Sequence, residues 1–204
     1  AEAAHATTEG PLADFVLTDR DRYELRIAAL LHDCGKVTTP VHVVDKATKL
    51  QTIFDRIELI DTRFELVRRD AEIRMLRQIV EGVPRERAEA EFHEFVAKMA
   101  VDRDLLRKSN IGSERMNDAD IERVRAIAGA YRWRNGNGEE SDFLSADELE
   151  NLTIRAGTLT QGEREVINHH IEATIKMLEQ LPWPKHLKNV PEYAGGHHER
   201  MDGK

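Results

Sequence analysis

Three pairs of neighbouring residues carry the imidazole and carboxylate side chains that suit metal chemistry: His32-Asp33, His169-His170 and His197-His198. The first pair ends an apolar helical run over residues 27–31, where burying an ionisable pair without partners would be unfavourable. Taken singly, each pair also fits a plain structural role, as a solvated helix end, a core histidine or a surface histidine pair. Taken together, they favour a site for two or three divalent ions held by nitrogen and oxygen ligands, with iron or manganese as the best-suited metals.

Two residues next to the first pair refine this interpretation. Cys34 is the one cysteine in the sequence, so a zinc site built from thiolates and an internal disulfide are both excluded. Lys36 follows Asp33 by three residues, and its ammonium would stand near the same ions as a donor to a phosphate oxygen of the substrate. The alternative for Lys36 is a solvated lysine at a helix C-terminus.

Composition and charge exclude several classes of partner. The chain has 30 basic against 38 acidic residues, a net charge of −8, which makes it a poor non-specific binder of DNA, RNA or anionic lipid. No apolar run approaches the roughly 20 residues that span a bilayer, and no secretory signal opens the sequence. We therefore expect no nucleic-acid partner, no membrane insertion by this segment and a cytoplasmic location. Because the sequence begins without Met, we also expect it to be part of a longer chain.

The elements that position these residues are predicted to be helices. Aromatic residues make up 5 % and charged residues 33 % of the sequence, a composition that favours amphipathic helices over a β-sandwich. Asp21 and Glu24 have the spacing of a capping box, and the helix that they open would run to Cys34 and end at Gly35. Three later helices are predicted: residues 117–133, a short helix after Ser145, and residues 161–180.

A long amphipathic pattern begins near Gln51. Its apolar residues repeat every 3.5 positions on average, as in a coiled-coil seam, and Pro84 opens a second helix after it. The two helices form a predicted hairpin. The stripe over residues 51–80 fits packing inside that hairpin or a dimer interface, so a homodimer or a sensor-domain contact through residues 51–132 stays open. The apolar positions of the pattern are Ile53, Ile57, Ile60, Phe64, Val67 and Ala71.

Three motifs follow one another along the chain. They are His32-Asp33-Cys34-Gly35-Lys36-Val37 followed by Pro40, then Gly157-Thr158-Leu159-Thr160 with Glu163 and His170, and finally His197-His198-Glu199-Arg200-Met201-Asp202-Gly203. In this order they resemble the HD-GYP family, a branch of the HD phosphohydrolases that degrade cyclic di-GMP. The resemblance covers about residues 21–50 and 151–204. It implies an all-α fold, a helical bundle of the HD superfamily interrupted by an inserted helical hairpin.

The implied domain limits follow from where the motifs lie. Residues 1–50 and 151–204 would be the first and second parts of the HD-GYP domain, and residues 51–150 would be the helical insertion. The second part would stop before the Gly-Tyr-Pro that names the family.

The resemblance also implies a role for each matched residue. The implied metal ligands are His32, Asp33, His170, His197 and His198. Asp33 would bridge two ions, and Lys36 would meet the substrate phosphate, so these two are the implied catalytic residues. His169 has no assigned role. The family carries one more histidine upstream, for which His5 is the candidate here, and one more aspartate beyond the end of this sequence, so we expect the parent chain to complete the metal shell.

The implied activity is metal-dependent hydrolysis of cyclic di-GMP to linear pGpG, GMP or both. One alternative is an HD phosphohydrolase that acts on a deoxynucleoside triphosphate or a guanosine alarmone, although the Gly-Gly-His-His-Glu and Asp-Gly sequences favour the first activity. The other alternative is a catalytically degenerate signalling module that binds cyclic di-GMP or a partner protein through the long helices.

Overall fold

The computed structural model describes residues 1–199 of the chain. Asp202 and Gly203, which belong to the third motif, lie outside the described residues. Within them the fold is built almost entirely from helices with one two-stranded hairpin, so the predicted all-α class is confirmed. The described residues divide into two compact units: unit 1 comprises residues 1–44 and 164–199, and unit 2 comprises residues 45–163.

Unit 1 contains the HD dipeptide and the other histidine pairs. Its core is a small apolar cluster in which α2, α9 and α10 meet, formed by Ala28, Leu178, Val190 and Ala194. Short 3-10 segments connect the helices at Gly10–Leu12, Cys34–Thr38, Lys185–Leu187 and Gly196–His198. The α-helices of this unit are α1 (Glu2–His5), α2 (Asp19–Leu31), α3 (Val41–Val44), α9 (His170–Glu179) and α10 (Val190–Gly195).

The N-terminus of α2 differs from the sequence prediction. The capping box is formed by Thr18 and Asp21, not by Asp21 and Glu24: the Asp21 amide donates to Thr18 Oγ1 and the Thr18 amide donates to Asp21 Oδ2. Glu24 is buried instead, and its carboxylate accepts hydrogen bonds from the backbone and the side-chain amide of Asn189, at 2.6 and 3.3 Å. This contact ties α2 to the residue before α10.

Unit 2 is organised around the helical hairpin that the sequence predicts. α4 and α5 pack along each other, and α6, α7 and the strand hairpin enclose the apolar core together with them. The elements of this unit are α4 (Ile57–Val80), α5 (Arg85–Ile111), α6 (Asp118–Ala130), β1 (Arg132–Arg134), β2 (Glu140–Asp142) and α7 (Ala146–Leu152), and α8 (Gln161–Asn168) crosses from unit 2 into unit 1.

The core positions of the predicted coiled-coil stripe are largely correct. Ile60, Phe64, Val67 and Ala71 are buried along one face of α4, but Ile53 is 96 % exposed and precedes the helix. The prediction of a helix from Gln51 was wrong because side-chain hydrogen bonds hold this segment in another conformation. Asp55 accepts from the Thr48 hydroxyl at 2.8 Å and from the Ile57 amide at 3.0 Å, so the helix begins at Ile57.

Two more predicted helices are shorter than expected. α6 ends at Ala130, and Trp133 lies in β1, which pairs antiparallel with β2 across the Asn-Gly-Asn-Gly sequence. The helix predicted over residues 161–180 is interrupted at His169, whose backbone stays in the helical region at φ −59° and ψ −19°.

Unit 2 begins and ends at neighbouring places. The Thr158 hydroxyl donates to the Lys46 carbonyl at 3.0 Å, and the Lys46 ammonium binds both oxygens of Glu163 at 2.8 and 2.7 Å. The Lys46 side chain is 1 % exposed and also donates to Asn151 Oδ1 at 2.8 Å. These contacts hold the first and last residues of unit 2 next to each other.

No helix among the described residues is long and apolar enough to cross a bilayer.

Candidate metal centre

The structure brings the predicted site residues of unit 1 together. His32 follows the last residue of α2 and Asp33 comes next, while His170 is the first residue of α9. His197 and His198 lie on the 3-10 segment that follows α10. The ring centroids of His32 and His197 are 4.8 Å apart, those of His170 and His198 are 5.3 Å apart, and those of His197 and His198 are 4.2 Å apart.

Three of the histidines are oriented in the same way by the backbone. The Nδ1 atoms of His32 and His197 lie 2.6 Å from the carbonyl oxygens of Ala29 and Ala194, three residues upstream, and His170 contacts the Ile167 carbonyl in the same manner. Because a carbonyl oxygen only accepts, Nδ1 must carry the proton in each ring. A neutral imidazole then presents the lone pair of Nε2, and this is the arrangement that metal-ligating histidines usually show.

All three Nε2 atoms face the Asp33 carboxylate. His32 Nε2 lies 3.1 Å from Oδ2, His170 Nε2 lies 3.2 Å from Oδ1, and His197 Nε2 lies 3.8 Å from Oδ1. His170 Nε2 is fully buried and makes no hydrogen bond of acceptable geometry with any described residue. Lone pairs converging on a carboxylate are unfavourable unless a cation or additional protons lie among them.

The donor atoms form two overlapping groups that could each hold a metal ion. One group is His32, Asp33 and His197, and the other is His170, His197 and His198; within each group the ligand atoms lie within 4.8 Å of one another. Imidazole nitrogen with carboxylate oxygen is a donor set that suits first-row divalent ions. The orphaned Nε2 atom of His170 and the shared orientation of three rings therefore fit a bound metal.

Lys36 lies beside the same carboxylate. Its ammonium donates to Asp33 Oδ2 at 2.8 Å. Partial burial raises the pKa of Asp33, but the hydrogen bond and charge of Lys36 outweigh that effect, so the pKa of the carboxyl lies below its ordinary value. Asp33 is thus held as an anion, which is the form that binds cations.

His198 is held in its neutral form by its surroundings. Partial burial lowers the pKa of this imidazole below its ordinary value, and this effect is larger than the opposite effect of the Asp33 charge. A neutral imidazole retains the lone pair that a metal ion needs.

A close contact between the HD turn and α9 fixes the relative position of Asp33 and His170. The Gly35 amide donates to the Thr174 hydroxyl at 2.9 Å, and that hydroxyl donates to the His32 carbonyl at 3.2 Å. A Cβ on Gly35 would overlap the His170 carbonyl oxygen and stand 2.6 Å from the Thr174 amide nitrogen. Gly35 does not end the helix as predicted, because α2 ends at Leu31, and the glycine is needed instead for this close approach.

Two histidines with weaker sequence support are not part of the cluster. His169 is exposed, and its Nδ1 atom lies 3.5 Å from a Glu172 carboxylate oxygen. His5 accepts a hydrogen bond from the Leu17 amide at 3.1 Å, and the metal-competent groups of the described residues do not include it. The candidate for the upstream ligand therefore has a structural role in this chain.

Sequence reasoning did not find Thr174. It is fully buried on α9, and its hydrogen-bond partner Gly35 is 139 residues away in the sequence. No local pattern around Thr174 indicates that partner. The one available signal was its place beside the apolar residues Ala173 and Met177 of that helix, since a buried hydroxyl requires a hydrogen-bond partner.

Two protein-family models match this chain. A family model described as HD domain matches residues 4–156, and a second model with the same description matches residues 146–204. No curated protein and no solved structure gives a significant match. The first match alone spans more than half of the chain.

Proposed function

The chain belongs to the HD domain family, and from this premise we propose that it is a metal-dependent phosphodiesterase that hydrolyses cyclic di-GMP to linear pGpG, GMP or both. HD domains are in general metal-dependent hydrolases. Two or three divalent ions, iron or manganese, are the proposed cofactors, and the proposed ligands are His32, Asp33, His170, His197 and His198.

One observation carries this proposal. His170 Nε2 is buried and lacks a hydrogen-bond donor among the described residues, while its other ring nitrogen is engaged by a backbone carbonyl. This lone pair and Asp33 Oδ1, 3.2 Å away, repel each other, and the one ammonium beside the carboxylate in the described part of the chain, that of Lys36, donates to the other oxygen, Oδ2. A cation bound by both atoms would remove that repulsion, which makes metal binding the simplest account of the geometry.

Each residue of the cluster has a separate role in the proposed hydrolysis. When bound, divalent ions would polarise the phosphoryl oxygens and lower the pKa of an attacking water. Asp33 contributes the negative charge that holds cations at this place, and Lys36 can move its ammonium from the carboxylate to a non-bridging phosphate oxygen. His32 and His197, oriented by the α2 and α10 carbonyls, keep their lone pairs directed into the same space.

The positive charge of bound metal ions would allow an acidic chain to bind an anionic substrate. A chain of net charge −8 repels a dianionic dinucleotide, whereas a site that gathers divalent cations presents positive charge at one place. The choice of cyclic di-GMP rests on the order of the three sequence motifs.

The test is hydrolysis by the full chain loaded with Mn²⁺ or, under anaerobic conditions, Fe²⁺. Metal content is measured by mass spectrometry, and the products of cyclic di-GMP, a deoxynucleoside triphosphate and a guanosine alarmone are separated by chromatography. We expect pGpG or GMP from the first substrate alone. His170→Ala should lose metal and activity together, while His169→Ala, which removes the adjacent exposed imidazole, should retain both.

The other outcomes point to the alternatives. Turnover of the deoxynucleotide or the alarmone in place of cyclic di-GMP would replace the proposed phosphodiesterase with another metal-dependent phosphohydrolase. A protein that holds metal and leaves all three substrates intact would contradict the enzyme and favour a binding module.

A further inference from the structure

Unit 2 contains a cavity of about 500 Å³ that has no part in the proposed reaction. It opens between α4, α5 and the β1–β2 hairpin, and its volume lies within the roughly 300–1,000 Å³ of small-molecule sites. We call it the arginine cavity because four of its lining residues are Arg74, Arg77, Arg132 and Arg134.

The lining is positively charged although the chain as a whole is acidic. Four arginines stand against two carboxylates, Asp70 and Glu140, which gives a local charge of 4 − 2 = +2. Glu140 is already engaged, because Arg132 pairs with both Glu140 and Asp142. The remaining arginines and Asp70 leave an excess of positive charge.

The unpaired arginines of unit 2 are concentrated at this place. Most arginines of the unit form an ion pair, and those that form none with any described residue are Arg74, Arg77, Arg115, Arg123 and Arg134. Three of these five line the arginine cavity. A guanidinium presents several donors in a planar fork, and it binds phosphate oxygens in two-point contacts when no carboxylate occupies it.

A second groove of similar size shows the contrast. It also lies between α4 and α5 and has three arginines in its wall. There, however, Asp61 binds both Arg103 and Arg107, and Glu65 binds Arg68 at 2.7 Å. Those guanidinium groups are already paired with carboxylates of the protein. We therefore expect that groove to bind an anion more weakly than the arginine cavity does.

Aromatic rings stand beside the free guanidinium groups. The Arg74 guanidinium lies 6.0 Å from the centroid of the Phe95 ring. Trp133 also lines the cavity, and its indole nitrogen donates to the Asp142 carbonyl at 3.0 Å, which fixes the ring on the hairpin. A fixed aromatic ring next to unpaired arginines suits a ligand that has both a planar ring and negative charge.

We propose that the arginine cavity is a nucleotide-binding site separate from the metal centre. Arg74, Arg77 and Arg134 would bind the phosphates, and Trp133 and Phe95 would stack against the base. The site needs no divalent metal, because the positive charge is supplied by the side chains themselves. It would give unit 2 a binding function of its own.

The probe is GTP, titrated into the full chain by calorimetry in excess EDTA so that the metal centre takes no part. We expect saturable binding with one site per chain. Arg74→Ala combined with Arg77→Ala should weaken this binding at least about ten-fold, since two charge-assisted contacts are lost. Trp183→Phe leaves Trp133 as the one tryptophan, and its fluorescence should be quenched on the same concentration scale.

The matched control removes the same charge elsewhere. Arg115→Ala combined with Arg123→Ala deletes two unpaired arginines outside the cavity and should leave the affinity within about two-fold. His170→Ala should also leave it unchanged, which separates this site from the proposed phosphodiesterase. Absence of binding at millimolar GTP, an equal loss in both double variants, or pyrophosphate binding as tightly as GTP would each overturn the proposal.

Discussion

The histidine cluster of unit 1 and the buried ion pairs of unit 2 differ in how completely their polar groups are satisfied. Arg63 binds both oxygens of Glu148, at 2.7 and 3.0 Å, and donates to the Phe143 carbonyl as well. In the cluster, by contrast, lone pairs converge on one carboxylate and the buried nitrogen of His170 has no donor among the described residues. Incomplete satisfaction, more than burial, therefore separates the candidate metal centre from this buried ion pair.

Lys49 shows that even an isolated charge can be structural. Its side chain is 1 % exposed, and burial lowers the pKa of its ammonium to about 8. The ammonium donates to the carbonyls of Leu152 and Ile154 at 3.2 and 2.7 Å, at the C-terminal end of α7. Leu152 is the last residue of α7, and its carbonyl has no acceptor role inside the helix, so Lys49 completes the fold of unit 2.

The strongest test of this contrast is Asp33→Asn. Loss of a partner that only orients a metal ligand already costs about 10–100-fold in affinity or activity, so loss of the shared carboxylate should exceed about 100-fold. The unfolding free energy of the metal-free chain should fall only slightly, because the ion pair with Lys36 that is lost is partly exposed and such a pair contributes less than about 1 kcal/mol. Cyclic di-GMP turnover, metal content and urea denaturation measure these effects. A variant that keeps its metal and its turnover would contradict the assignment of Asp33.

Glu148→Gln should give the reverse result. Breaking a buried ion pair leaves Arg63 uncompensated, so we expect a loss of about 3 kcal/mol in unfolding free energy at pH 7. Turnover per folded molecule should persist. Glu91→Gln is the control, because its pair with Arg87 is exposed and contributes less than about 1 kcal/mol. Equal losses in the two variants would remove the distinction between the two pairs.

The same pair predicts a dependence on pH. Burial raises the pKa of Glu148, but the Arg63 and Ser145 hydrogen bonds outweigh that effect, so its pKa in the folded state lies below the ordinary 4.5. The pair therefore stabilises the fold fully above pH 4.5, and the contribution is lost as the pH falls through the lower folded pKa. The difference between the wild type and Glu148→Gln should shrink accordingly in denaturation curves recorded from pH 7 to pH 3.

The smallest expected effect concerns the packing that aligns the cluster. Gly35→Ala places a methyl group against the backbone of α9, and such overpacking costs about 1–3 kcal/mol. The HD turn should also shift, so metal affinity should fall with stability. Gly129→Ala is the matched substitution: no atom lies within 4 Å of its new Cβ, and in a helix it should stabilise by about 0.5–1 kcal/mol. Equal behaviour of the two variants would show that the close contact at Gly35 is unimportant.

The sequence predicted the cluster better than its surroundings. The order of the motifs was sufficient to place His32, Asp33, His170, His197 and His198 in one site, and the structure brings them together; their roles as ligands stay a prediction. The all-α class and the buried face of α4 were likewise accessible, because helical periodicity is a local signal.

The remaining features depend on contacts that no local pattern contains. The Asp55 hydrogen bonds delay the start of α4, and the buried role of Glu24 requires Asn189, far along the chain. The spacing of Ile121, Val124, Ala128 and Tyr131 favours a helix as far as Trp133, whereas pairing with Ser141 makes Trp133 a strand residue. Tertiary partners decided the conformation in each of these cases.

The hydrogen bond between Thr158 and the Lys46 carbonyl has an evolutionary consequence. The Thr158 hydroxyl lies 3.0 Å from the Lys46 carbonyl oxygen, so the residues on either side of the segment 47–157 are neighbours in space. A short turn could therefore join them directly. Gain, loss or exchange of the intervening segment would then leave the HD and histidine motifs uninterrupted on either side. The histidine cluster, which is assembled from distant motifs, could in this way gain or lose a neighbouring unit by recombination, with no change to its own residues.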